Sequence, residues 1–245
     1  MLRSRWTKIL VFLLGLVPLG WMIARALGFM GGQMIVAFQG HKLTFNGGIE
    51  DALGNLTANP LEYITHFTGD WTIRMIVITL VVTPLRKLLR LPDLIRFRRM
   101  IGLFAFFYGC LHFLTWLLLD KLFDPLGMWQ GMLKDFVKRP FITAGITSLL
   151  SMLPLAITST TGWIRRLGGK RWQKLHRLVY LAGIAGVVHY YWLVKSDIRL
   201  PVMYGAMVAV LLAYRLGAWL ISRRAKPAKK RADKLAALAG PGAGD

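Results

Sequence analysis

Residues 174–195 read KLHRLVYLAGIAGVVHYYWLVK. Beyond its basic start the stretch is almost uncharged, and it is long enough to cross a hydrocarbon layer about 30 Å thick. It also holds two of the chain's five histidines, His176 near its start and His189 towards its end. Burying an imidazole in lipid is costly, so a histidine inside a membrane segment reads as functional. Imidazole is also the usual axial ligand of haem iron. The first expectation is therefore a membrane helix that carries haem.

The rest of the chain supports the membrane half of that reading. Of 245 residues, 55% are hydrophobic and only 18% charged, and the mean hydropathy is +0.49. A soluble domain of this size carries more charge and interrupts its apolar runs sooner. The net charge of +21 would point to nucleic acid in a soluble protein. Here the cations cluster between apolar runs, where the positive-inside rule accounts for them without nucleic acid. A single cysteine, Cys110, excludes an intrachain disulfide and a cysteine-ligated metal cluster.

Six apolar segments are expected to span, giving an all-α integral membrane protein. The first, residues 9–27, follows three cations. It is long for a signal-peptide core, although Ala24-Arg25-Ala26 offers a small-x-small cleavage pattern; a retained helix is the expectation. A loop rich in glycine and asparagine follows. The second span covers residues 71–85, with an earlier start near Tyr63. Residues 100–119, 141–158 and 201–221 form the third, fourth and sixth, and the opening stretch is the fifth. A short surface helix is expected around 129–137. Residues 1–221 make one haem-binding domain, and the basic tail 222–245 is expected to be disordered.

Charge orients this arrangement. Placing both termini, the loop after the second span and the loop after the fourth on one side gathers 22 basic and three acidic residues. The opposite side has seven basic and eight acidic residues. The first side is therefore cytoplasmic, and both termini lie there.

Depth then separates the histidines. His112 lies ~20 Å along the third span from Arg99, and His189 ~18 Å along the fifth from Arg177, at 1.5 Å per residue. Both spans rise from the cytoplasmic side, so the two rings share a level in the outer half of the bilayer and can clamp an iron between them. The alternative is two unrelated histidines hydrogen-bonded in a bundle core. Gly102, Gly109, Gly183 and Gly186 would let a flat macrocycle approach backbone, or serve ordinary packing of helices through small residues. His176 is one bilayer depth lower, near the cytoplasmic surface, with no intramembrane histidine at its level. It is a ligand of a second haem, or a contact to a flavin, a quinone or a propionate. Arg74, four residues after Asp70, either neutralises that carboxylate or holds a haem propionate or quinone oxygen. His66 and His41 are not assigned to iron.

No GxGxxG, phosphate loop or Cys-x-x-Cys is present, and nowhere does the chain have the hundred or more soluble residues of a nicotinamide-binding domain. Electrons must come from another protein or from a quinol. A transporter or purely structural helix bundle with incidental histidines is the remaining class.

The runs NPLEYITHFTGDW, TPLRKLLR, RRMIGLFAFFYGCLHFLTW, PLAITSTTGW and WQKLHRLVYLAGIAGVVHYYW together resemble the MsrQ (YedZ) family, within the ferric-reductase-like transmembrane group. The resemblance covers roughly residues 6–219. It implies a six-helix b-type cytochrome of the bacterial inner membrane, serving repair of oxidised methionines in periplasmic proteins. Electrons would pass from the quinol pool, or from a cytosolic flavin reductase, to a periplasmic molybdopterin-containing subunit, MsrP. The cofactors implied are haem b and FMN, and the implied histidine ligands match His112, His176 and His189. The wider group has two histidines on each of two helices, whereas the third span here has one. No motif marks an FMN site. A self-contained ferric or metal reductase is the alternative function.

Overall fold

Proline and charge punctuate the helices of the computed structural model, which describes residues 4–26, 60–121, 136 and 138–238. Helix α1 runs Arg5–Ala26. Helix α2, Pro60–Leu88, opens on a proline at its first position, where the missing N–H is one the helix would leave unbonded anyway. After a 3₁₀ turn at Pro92–Leu94 comes α3, Ile95–Thr115, which loosens into a π-helical stretch at Trp116–Lys121. Helix α4, Pro140–Ile157, again starts on proline. Two short helices, α5 Thr161–Leu167 and α6 Gly169–Leu175, pivot about Gly168, whose φ of 73° suits glycine. Helix α7 is Leu178–Leu193 and α8 is Arg199–Leu238. No strand occurs among the described residues.

Five helices are long and apolar enough to cross a membrane: α1, α2, α3 with its flanking turns, α4 and α8. The stretch expected as the fifth span is divided. A turn at 176–177 separates α6 from α7, so His176 is not on the helix that carries His189. What remains is a 16-residue helix, ~24 Å long, a little short of the hydrocarbon thickness. At the other end of the chain, α8 stays helical to Leu238 rather than stopping near residue 221. Alanine, lysine and arginine are strong helix formers, which accounts for the continuation through an apolar-to-basic change. The loop expected after α1 (through residue 59), the surface helix at 129–137 (save Phe136), His41 and residues 239–245 lie outside the described residues.

The helices pair as α2 with α3 and α4 with α7, and α7 and α8 also pack on α2. Ile73, Ile76, Leu80, Phe104, Tyr108, Met152, Ala182 and Val208 form the centre. Small residues let backbones close up: Ser148 of α4 donates to the Ala182 carbonyl of α7 at 2.8 Å. Helix α1 is the outlier, touching α3 through Phe104, which packs on Phe12 and Gly15, and through Tyr108, whose hydroxyl donates to the Gly15 carbonyl at 2.8 Å.

Pro84 shapes the C-terminal part of α2. It has no N–H to give the Leu80 carbonyl four residues back. Arg215 of α8 supplies the missing donor, with Nη2 2.7 Å from that oxygen and Nη1 3.1 Å from Tyr180 Oη. A cation inside a membrane helix, which the sequence reading passed over, thus caps a carbonyl that proline leaves open.

Candidate functional site

The two helix pairs bring the rings of His112 and His189 together. Their ring centroids are 5.8 Å apart and the ring planes lie at 79°. His112, on α3, donates Nδ1–H to the Thr65 carbonyl of α2 at 2.9 Å. His189, on α7, donates Nδ1–H to the Phe141 carbonyl of α4 at 2.7 Å. A carbonyl can only accept, so each bond fixes the tautomer and leaves Nε2 with its lone pair. Neither Nε2 takes a hydrogen bond among the described residues. Thr115 steadies the first ring's backbone, donating to the His112 carbonyl at 2.7 Å.

The rings line an apolar cleft whose internal space, counting its mouth, is about 1130 Å³. Ile73, Ile76, Phe113, Ile146, Leu149 and Met152 supply much of the wall, with Asp70 and Tyr190 among the few polar groups. Two neutral imidazoles, each with its free nitrogen available and set in an apolar cleft, are the donor set a bis-histidine haem requires. With metal–nitrogen bonds of about 2 Å, ring centres on either side of one iron stand on the order of 6 Å apart, in line with the observed spacing. The residues present fit the group.

Of the four glycines singled out, Gly109 and Gly186 line this cleft. Gly183 instead meets Ile76, Leu80 and Val208, a packing contact, and Gly102 lines a separate cavity. Two glycines that the sequence reading missed stand closer to the histidines. A Cβ on Gly69 would lie 3.0 Å from His112 Cε1, and one on Gly145 only 2.7 Å from His189 Nδ1. The available signal was a glycine inside an apolar run, but nothing in the sequence sets the register between different helices.

His176 lies well apart from that pair. Its ring stacks on Trp172 with centroids 3.9 Å apart. The Thr158 hydroxyl donates to the Pro154 carbonyl at 2.6 Å, so Nε2–H of His176 is the donor to Thr158 Oγ1 at 3.1 Å. Burial, with the Arg98 cation second, holds the His176 pKa at about 4, so the ring is neutral. It lines a second cavity together with Arg86, Arg98, Arg99, Arg177 and Tyr180.

Arg74 lines neither cavity. Its Nε donates to Tyr204 Oη at 3.1 Å, Nη2 is 3.7 Å from Asp70, and the guanidinium lies 5.0 Å from the Trp71 ring centre. The pairing with Asp70 expected at four-residue spacing is present, and Asp70 itself faces the cleft. His66 also lines the cleft and pairs loosely with Glu62 at 3.8 Å.

Residues 68–187 match the model of the ferric reductase like transmembrane component. The chain is 52% identical over 180 residues to the protein-methionine-sulfoxide reductase heme-binding subunit MsrQ of Herminiimonas arsenicoxydans, covering 73% of this chain and 79% of that one. The chain belongs to the MsrQ family. The MsrQ of Ralstonia nicotianae is also 52% identical, over 171 residues, covering 69% of this chain and 76% of its own. The MsrQ of Xanthomonas campestris pv. campestris is 49% identical over 174 residues, covering 71% and 76%. No solved structure matches the chain. All three MsrQ relatives are described as haem-binding subunits, and residues 68–187 take in α3 and α4 whole with most of α2 and of α7.

Proposed function

We propose that this protein is the haem-binding membrane subunit of a protein-methionine-sulfoxide reductase system, with haem b held between His112 and His189. The observation that carries the reading is the pair of imidazoles 5.8 Å apart, each tied through Nδ1 to a helix carbonyl. Haem held there supplies a one-electron carrier. The protein's own part is to present two Nε2 lone pairs, hold both tautomers and line the cleft with apolar side chains that exclude water. Such burial and axial ligation set the potential of a haem.

Six spans with both termini in the cytoplasm of the inner membrane complete the proposal, α7 crossing as a short helix packed along α4. The charge asymmetry of the loops supports that orientation. Electrons then travel outward, from the quinol pool or a cytosolic flavin reductase to a periplasmic molybdopterin-containing subunit, MsrP. The arginine-lined cavity beside His176 is the place suited to an acidic cofactor, a second haem or FMN, whose carboxylates or phosphate its four arginines would neutralise.

Purified protein is expected to show a reduced b-type spectrum that disappears in His112→Ala and in His189→Ala. Full haem retention in both variants would overturn the assignment. The likeness to the ferric reductase like component favours one further reading, a self-contained metal reductase. Reduction of chelated iron by the purified subunit, given quinol and no partner, would select it.

A further inference from the structure

The two histidines come from different helix pairs, yet they are held in one way. His112 donates to the carbonyl of Thr65 and its ring lies on Gly69, four residues further along α2. His189 donates to the carbonyl of Phe141 and its ring lies on Gly145, four residues further along α4. The spacing has a geometric cause. In an α-helix the carbonyl of residue i points towards the N–H of residue i+4. The Cα–Cβ bond leans back towards the helix N-terminus, so a side chain at i+4 covers the turn that contains that carbonyl. Glycine at i+4 leaves the oxygen open on its outer side. An imidazole from a neighbouring helix can then reach it without breaking the helix's own bond.

The fit is tight in both cases and tighter in one. A Cβ on Gly145 would lie 2.7 Å from His189 Nδ1 and 3.0 Å from Cε1. One on Gly69 would lie 3.0 Å from His112 Cε1 and 3.1 Å from Nδ1. The first contact cannot stand without displacing the ring, whereas the second needs the ring to yield by a few tenths of an ångström. By contrast Gly20 and Gly217 have nothing within 4 Å of the added atom.

We propose that Gly69 and Gly145 are positioning residues. Each exposes the carbonyl four residues back to a ligand histidine, and so fixes that ring's tautomer, orientation and donor strength, and through them the reduction potential of the iron. This rests on the haem reading above. An Nδ1–H held by a good acceptor makes Nε2 the stronger donor, which favours the oxidised metal. Loosening the bond therefore raises the potential.

The test compares Gly69→Ala, Gly145→Ala, Gly20→Ala and Gly217→Ala in the full-length purified protein. Haem content, the electron paramagnetic resonance spectrum of the oxidised form and the midpoint potential are read for each. Gly20→Ala and Gly217→Ala are expected to match the wild type. Gly69→Ala is expected to keep its haem with shifted resonance values and a raised potential. Gly145→Ala is expected to change more, through loss of haem or conversion to a single-histidine form. A purely structural role would alter yield without moving the potential of the haem retained. Should Gly145→Ala fail to fold, Gly69→Ala decides alone: a spectrum and potential equal to Gly20→Ala overturn the proposal. Failure of the haem reading looks different, since His112→Ala and His189→Ala would then retain haem. Loss of haem in those variants with silent glycine variants sinks only the positioning role.

Discussion

Arg74 shows how far a single residue can be read from sequence. Its four-residue spacing from Asp70 offered an ion pair as one of two readings, and the pair is present at 3.7 Å. Nothing in the sequence indicated Tyr204, 130 positions away, which accepts from Nε. With the guanidinium itself outside the cleft and the pair partly exposed, Arg74→Gln is expected to cost less than about 1 kcal/mol, as for other such pairs. Haem content should stay at the wild-type level, measured by pyridine haemochrome. Loss of haem in that variant would instead assign the guanidinium to the cofactor's acidic groups. The histidines divide along similar lines. The common level of His112 and His189 follows from counting residues along two spans, because helical rise is fixed. The Thr65 and Phe141 carbonyls and the glycines beside them follow only once the helices are set against each other.

At the scale of the element, the most informative case is the carbonyl that Pro84 leaves without a helical donor. Arg215 bonds it from α8, so the two residues should be energetically coupled although 131 positions separate them. Arg215→Met leaves the Leu80 carbonyl and the Tyr180 hydroxyl without that partner, at an expected cost of about 1–3 kcal/mol. Pro84→Ala restores the intrahelical bond, and in that background the same change should cost less. A double-mutant cycle in detergent is expected to give a coupling of about 0.5–3 kcal/mol. Additive effects would mean that Arg215 acts elsewhere. Span positions were legible because apolar length and flanking charge decide them. The break at 176–177 was not, since it depends on Trp172 and His176 both bonding to Thr158 across the bundle. Nor was the helical continuation of α8, because basic composition was weighed there above the helix propensity of alanine and lysine.

Across the whole molecule, the charge asymmetry and the position of the imidazole pair combine. In the proposed orientation, with the basic side in the cytoplasm, the pair would stand ~20 Å into a hydrocarbon layer of about 30 Å. Electrically, that position lies more than halfway down the field of an energised membrane. A negative charge leaving a negative interior moves downhill, by about 2.3 kcal/mol for a full crossing at 100 mV. An electron entering at the arginine-lined cavity, on the side proposed as cytoplasmic, and coming to rest between His112 and His189 would gain about 1.4 kcal/mol of that. The membrane potential would therefore pull reducing equivalents outward, and repair outside the cell membrane would draw on the same gradient that drives other transport. In vesicles with a donor on the cytoplasmic side, an inside-negative potential of about 100 mV should raise the ratio of reduced to oxidised haem roughly tenfold at fixed donor poise. A ratio that ignores the potential would place the pair at the level of its electron donor.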